Sequence, residues 1–257
     1  MGTPSIPVTI PIGRISGLAT FLAISLQMSR KLAPIIADDG GENGSGKSSL
    51  LKILFKHYQH TSGSILIDGK DISNLRQREL ARIIAYVPQE TPLPMNMKVG
   101  DILEIASYSI GNNRETIEYA ISLCGIKEFE ERDFSSLSGG EKRLVMFAAA
   151  IVQNSDIILM DEPTTFLDVE KRMRVLSIIH KLRDSGKTLI GVFHEIDILS
   201  EHCDSIILLK NGKQLIWGNP REIVDENILS QAFSVNFTKY KTPFGIRFEP
   251  CTPTNQK

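Results

Sequence analysis

Eight residues, Gly41-Glu42-Asn43-Gly44-Ser45-Gly46-Lys47-Ser48, constrain this chain more than any other stretch. They fit the G-x-x-x-x-G-K-[ST] phosphate-binding loop. Glycines let the backbone turn around an anion, so that successive N–H groups converge on it as a nest. A helix starting at Lys47 adds the partial positive charge of its first turn. In such a loop Lys47 reaches the β- and γ-phosphates of a nucleotide, and the Ser48 hydroxyl ligates Mg²⁺. Ser49 continues the helix start, and Leu50, Leu51, Leu54 and Phe55 follow at the spacing of a helix buried against a sheet. A Gly/Ser-rich turn before an ordinary helix would look the same locally, so the surrounding chain has to decide.

A chain of 257 residues suffices for one large α/β domain or two small ones. Its formal charge of −1 gives no general pull toward nucleic acid or an anionic membrane surface. Cys124, Cys203 and Cys251 are scattered and form no C-x-x-C pair, which reads as free thiols in a reducing cytosol. No run reaches the roughly 20 apolar residues of a membrane-spanning helix. Ile15 to Met28 comes nearest but is interrupted by Ser16, Thr20, Ser25 and Gln27.

From Gly41 onward the alternation of elements is clear. Ser64–Ile67 reads as a short strand ending in an Asp68-Gly69 turn, Leu75–Ala81 as a helix, and Ile83–Val87 as a strand stopped by Pro88. Helices follow at Val99–Ser107 and Arg114–Cys124, and a longer one from Gly140 to about Asn154. Ile157-Ile158-Leu159-Met160 is a continuous apolar run, the mark of a strand covered on both faces. Helix Val169–Asp184, strand Thr188–Phe193, helix Ile196–His202 and strand Ser205–Leu209 continue the βαβ pattern of a parallel sheet. Asn211-Gly212 predicts a type I′ hairpin to Lys213–Trp217. Arg221–Val224 and Ile228–Phe233 read as short helices, and the tail alternates only weakly. No internal repeat is visible.

Two further clusters carry chemistry. Asp161-Glu162-Pro163 puts two carboxylates at the C-terminal end of the buried strand, where open α/β sheets bind ligands. Asp161 would hold Mg²⁺ through water, and Glu162 would polarise the attacking water. Leu137-Ser138-Gly139-Gly140-Glu141 opens a helix with a second anion-binding turn, although Ser-Gly-Gly alone is commonly just flexible.

These clusters occur together with Thr164, Leu167-Asp168, His194 and the strand end Tyr86-Val87-Pro88-Gln89. In that order the set is similar to the pattern of ABC-family ATPases, and the resemblance runs from about Gly41 to Pro250. It implies an α/β P-loop NTPase core, RecA-like with a mainly parallel sheet, and an inserted helical subdomain at about 90–154 within an ATPase domain of 41–257. It implies ATP and Mg²⁺, and two subunits that sandwich two ATP molecules.

Residue by residue, the resemblance makes Glu162, His194 and Gln89 catalytic. Gly41, Glu42, Asn43, Gly44, Ser45, Gly46, Lys47, Ser48 and Ser49 bind the nucleotide. Ser138, Gly139 and Gly140 of the other subunit bind it too, with Asp168 at the dimer seam; Ser48, Gln89 and Asp161 serve the metal. Taken alone, His194 reads first as a satisfied histidine at a strand end, and the resemblance is what outweighs that; Asp168 is equally and compatibly a helix N-cap. Trp217, Tyr58 and Tyr86 read as packing residues.

Single-domain length and a short stretch between Gln89 and Ser138 resemble a transporter subunit. Val99–Glu104 and the ending Ile228–Pro250 are similar to ATPase subunits of iron–siderophore, haem or cobalamin importers. The implied setting is the cytoplasmic face of the membrane, with permease subunits, an extracytoplasmic solute-binding protein and no nucleic acid.

The first 40 residues depart from the pattern. The family's adenine-stacking aromatic and small antiparallel sheet are not readable there, so that sheet is expected to be atypical or missing. Phe21 is the sole aromatic before Gly41, and only Ile35, Ile36 and Ala37 lead into the loop ahead of Asp38-Asp39. Pro4, Pro7 and Pro11 disfavour an early helix, while Gly13–Leu32 reads as an untidy one. Either Phe21 takes the aromatic role in a divergent N-terminus, or this segment is foreign to the fold, as a shifted reading frame would make it. The second case leaves an ABC-fold remnant with impaired nucleotide binding as a rival function. A soluble DNA-repair or chromosome ATPase is a third, and it would want coiled coils and a basic face.

Overall fold

The computed structural model describes residues 7–8, 26–27, 32–37, 47–60, 64–67, 69–89, 96–193, 202–210, 213–242 and 245–251. In chain order the elements are β1 (Pro7–Val8), β2 (Leu26–Gln27), β3 (Leu32–Ala37), α1 (Lys47–Leu54), β4 (Leu66–Ile67), β5 (Lys70–Asp71), α2 (Gln77–Ile83) and β6 (Ile84–Val87). Then come α3 (Val99–Ser107), α4 (Arg114–Cys124), α5 (Gly139–Val152), β7 (Ile157–Asp161), α6 (Val169–Asp184) and β8 (Thr188–Val192). The chain closes with β9 (Ile206–Lys210), β10 (Lys213–Gly218), α7 (Pro220–Ile223), α8 (Glu226–Phe233), β11 (Phe237–Thr242) and β12 (Gly245–Pro250). It divides into two compact units, Met1–Asp71 with Val192–Lys257, and Ile72–Gly191.

In the first unit, β3 runs parallel to β9, with Ile35 opposite Ile207 and Ala37 opposite Leu209. On its other side β9 pairs antiparallel with β10, with a bulge between Gln214 and Ile216. The hairpin expected at Asn211-Gly212 is therefore present, and its turn lies outside the described residues. Gly69, at φ 75°, makes the turn between β4 and β5, a conformation that glycine alone adopts without penalty.

Two sequence expectations are corrected here. The lead into the phosphate loop is a six-residue strand rather than three apolar residues. Pro34 disguised it, since proline has no ladder N–H, yet it precedes the paired positions 35–37 and breaks no bond of that ladder. Residues 32–37 thus form part of the sheet. The N-terminal antiparallel sheet is atypical, as expected: β1 and β2 pair over two residues each, Pro7 opposite Gln27 and Val8 opposite Leu26. Pro7 is the first residue of its strand, a place proline tolerates. The helix expected over Gly13–Leu32 fails at Leu26–Gln27, which is strand. Phe21 and Asp38-Asp39 lie outside the described residues.

The tail holds a hairpin that weak alternation had concealed. β11 and β12 pair from Phe237 opposite Pro250 to Thr242 opposite Gly245. Leu229, Phe237 and Phe248 form its buried cluster, with Val224 and Phe233 packed on it.

In the second unit, β6 and β7 are parallel, with Ile84 opposite Ile157, and β8 follows β7 in the sheet. Every residue of β7 is buried, as its apolar run requires. The helix α5 packs on α3 and α4, with Phe147 at 0% exposure. Local signals set the helix ends. The Asn113 side chain accepts the N–H groups of Glu115 and Thr116 to open α4, and Gly125, at φ 59°, closes it.

Burial decides the thiol chemistry. Cys124 and Cys203 are buried and Cys251 is exposed, all three as free thiols. Burial pushes the Cys124 thiol up to about 12, where almost no thiolate exists at neutral pH. An aromatic disulfide reagent should therefore modify Cys251 quickly and the other two only after denaturation. Rapid modification of all three in the folded protein would contradict this placement.

Candidate nucleotide site

In the first unit, Lys47 is the first residue of α1 and Ser48 the second, as the motif anticipates. Leu50, Leu51, Ile53 and Leu54 are buried and anchor the helix, while Lys47 itself is 6% exposed. Phe55 is only half-buried, because the helix ends at Leu54 and the chain turns there. Residues 41–46 lie outside the described residues, as does His194.

The second unit brings together residues far apart in sequence. Asp161 ends β7 at 2% exposure, and Tyr86 Oη donates to its Oδ2 at 3.1 Å. Tyr86 is thus a hydrogen-bond partner of the carboxylate as well as a packing residue. The next residue, Glu162, has φ 48°, the left-handed region that a residue with a Cβ seldom enters. Such strain gathers at functional positions. Gln89 Nε2 donates to Glu162 Oε2 at 2.7 Å, fixing one oxygen of that carboxylate. Arg143, from α5, donates Nη1 to the Pro88 carbonyl at 2.6 Å. Burial lowers its pKa below the usual arginine value, against the opposing pull of Glu162, Asp161 and Tyr86. Sequence reading passed over Arg143, whose partner is 55 residues away.

Ser138 caps α5 with a capping box: its backbone N–H donates to Glu141 Oε2 at 2.7 Å, and its Oγ accepts from the Glu141 N–H at 3.4 Å. The bond from the Ser138 backbone, more than any other contact, holds the Glu141 carboxyl below its ordinary range. The two glycines that follow differ. A Cβ at Gly139 would meet nothing within 4 Å, whereas one at Gly140 would lie 2.2 Å from Lys171 Cδ. Gly139 therefore leaves an open approach to the helix start, and Gly140 makes room for a side chain of α6. Asp168 caps α6, accepting from the Lys171 N–H at 2.8 Å and from Lys171 Nζ at 2.6 Å, which lowers its pKa. Before it, Phe166 is 95% exposed.

The oxygen donors present suit a small hard cation. Asp161, in the second unit, is a buried carboxylate at a strand end. Ser48, in the first unit, is a hydroxyl at a helix start. Each by itself is an oxygen donor of the kind that Mg²⁺ takes together with phosphate and water. Among the described residues no group of three or more His, Cys, Asp or Glu could cage a metal unaided.

A family profile described as ABC transporter matches residues 40–165. The petrobactin import ATP-binding protein FpuD of Bacillus anthracis is 31% identical over 202 residues, covering 75% of this chain and 74% of FpuD. The chain belongs to the ABC transporter family. The cobalamin import ATP-binding protein BtuD of Halobacterium salinarum is 31% identical over 200 residues, 75% of this chain and 50% of that protein. Among solved structures, a chain from an ABC transporter described as metal-chelate type, in an inward-facing conformation, superposes with TM-score 0.81 at 24% identity. That match covers 97% of this chain and 98% of the other. This ABC protein is accordingly a nucleotide-binding transport ATPase with the mixed α/β P-loop fold. Among its described residues no helix is long and apolar enough to cross a membrane.

Proposed function

We propose that this chain is the ATP-hydrolysing subunit of an importer for metal chelates of the iron–siderophore, haem or cobalamin kind. It works as one of a pair of ATPase subunits on the cytoplasmic face of the membrane. Permease subunits carry the solute across, and an extracytoplasmic binding protein delivers it. The observation that carries the reading is Glu162, held by the Gln89 amide beside buried Asp161 at the end of β7. The petrobactin and cobalamin relatives, with the metal-chelate neighbour in fold, support the solute class.

In this reading the loop Gly41–Gly46 wraps the phosphates, Lys47 binds the β- and γ-phosphates, and Ser49 continues the nucleotide-binding helix start. Ser48 and Asp161, with Gln89, would hold Mg²⁺, which neutralises phosphate charge when bound. Glu162 accepts a proton as water oxygen bonds to the γ-phosphorus; the bond from that phosphorus to the β,γ-bridging oxygen breaks, giving ADP and phosphate. His194 contacts the γ-phosphate. Ser138, Gly139 and Gly140 close over the ATP of the partner subunit, with Asp168 at the seam. We further assign 41–257 to the ATPase domain, with a helical subdomain at about 90–154, and 1–40 to an atypical N-terminal segment.

Lys47→Ala tests the nucleotide half. Losing a charge-assisted bond to phosphate should weaken ATP binding by about 10- to 100-fold, read by titration with a fluorescent ATP analogue. Unchanged affinity would remove Lys47 from the site. The solute half is tested by deleting the gene: ATP-dependent uptake of a ferric chelate or of cobalamin should cease. Undiminished uptake of every such chelate would refute the class.

A further inference from the structure

Arg143 is a buried cation that the chemistry above leaves without a task. It lies on α5, five residues beyond Ser138, and is 9% exposed. Taking a guanidinium out of water is costly unless its donors and its charge are matched. Part of the match is the hydrogen bond from Nη1 to the Pro88 carbonyl at 2.6 Å. The rest is the negative field of Glu162 and Asp161.

The Pro88 carbonyl is a consequential thing to hold. It belongs to the peptide plane that joins Pro88 to Gln89, and that plane is rigid. Fixing its oxygen fixes the N and Cα of Gln89, and so the root of the side chain whose Nε2 reaches Glu162 Oε2 at 2.7 Å. We propose that Arg143 is a positioning residue for ATP hydrolysis: by clamping the Pro88–Gln89 peptide it sets the Gln89 amide against Glu162. A planar fork suits this better than a lysine ammonium, which is a point charge on a flexible stem. If Arg143 only filled space, an apolar side chain of similar length would serve as well, as it does at many buried ionic sites.

The proposal rests on Glu162 acting as the base, and the test separates the two. In the isotope-labelled full chain, the side-chain amide resonances of Gln89 are assigned by their loss in Gln89→Ala. In Arg143→Met they should leave their native positions. The kcat for ATP should fall at least about tenfold while the Kd for ATP stays within about twofold, as for other outer-layer partners of catalytic groups. Arg143→Lys should recover only part of the rate, and it also serves if the methionine variant fails to fold. Because Arg143 acts through Gln89, the double variant Gln89→Ala/Arg143→Met should be no slower than the slower single variant. Unmoved Gln89 resonances in both Arg143 variants, or fully multiplicative losses, would overturn the proposal. If the resonances move while Glu162→Gln still turns over, the base assignment falls and the positioning of Gln89 by Arg143 stands.

Discussion

Glu162→Gln should stop ATP turnover while ATP continues to bind. The substitution keeps the length and planarity of the side chain and removes only its capacity to accept a proton. A positioned general base contributes about 10²- to 10⁴-fold, so phosphate release should fall by at least about 100-fold. The nucleotide affinity should hold, because the reading places phosphate binding on Lys47 and the glycine loop rather than on this carboxylate. Phosphate release and a nucleotide titration on the same preparation check both halves. Sustained hydrolysis by the variant would refute the assigned base. Loss of binding would mean that Glu162 shapes the ground state rather than the reaction.

Phe147→Ala should be the most destabilising single truncation in the second unit. Phe147 is fully buried on α5, the helix that packs on α3 and α4. Emptying a site of that size costs about 3–5 kcal/mol, the transfer loss plus the cavity that remains. Chemical denaturation should show that loss as a lower midpoint at unchanged slope. Phe166→Ala is the control: the ring is 95% exposed, so its removal should change stability by less than about 0.5 kcal/mol. Equal effects at the two positions would contradict the burial of α5.

Local order proved readable where a local cause exists. The helices at Val99–Ser107, Arg114–Cys124 and Val169–Asp184 occur at the residues that apolar spacing and end signals indicate. β7 follows from its apolar run. Elements whose cause lies elsewhere in the chain escaped. β3 depends on β9 to give a proline-containing segment a partner, and β11 needs β12 and the Leu229 cluster to bury Phe237. The site divides in the same way. The motif around Lys47 and the carboxylates of Asp161-Glu162 are contiguous and visible as strings. The bonds that organise the two carboxylates, Tyr86 to Asp161 and Gln89 to Glu162, span 75 and 73 residues. Arg143 carried no motif signal, since its meaning lies in a backbone oxygen just beyond the end of β6.

The left-handed backbone at Glu162 sets stability against activity at one residue. Glycine would occupy that conformation without the roughly 1–2 kcal/mol that a Cβ incurs there. A chain shaped for stability alone would carry glycine at this position. Keeping a glutamate means that the fold surrenders part of its margin, which the proposed role of this carboxylate in the reaction would explain. An effort to thermostabilise this protein by relieving backbone strain would remove the group that we propose as the base for ATP hydrolysis.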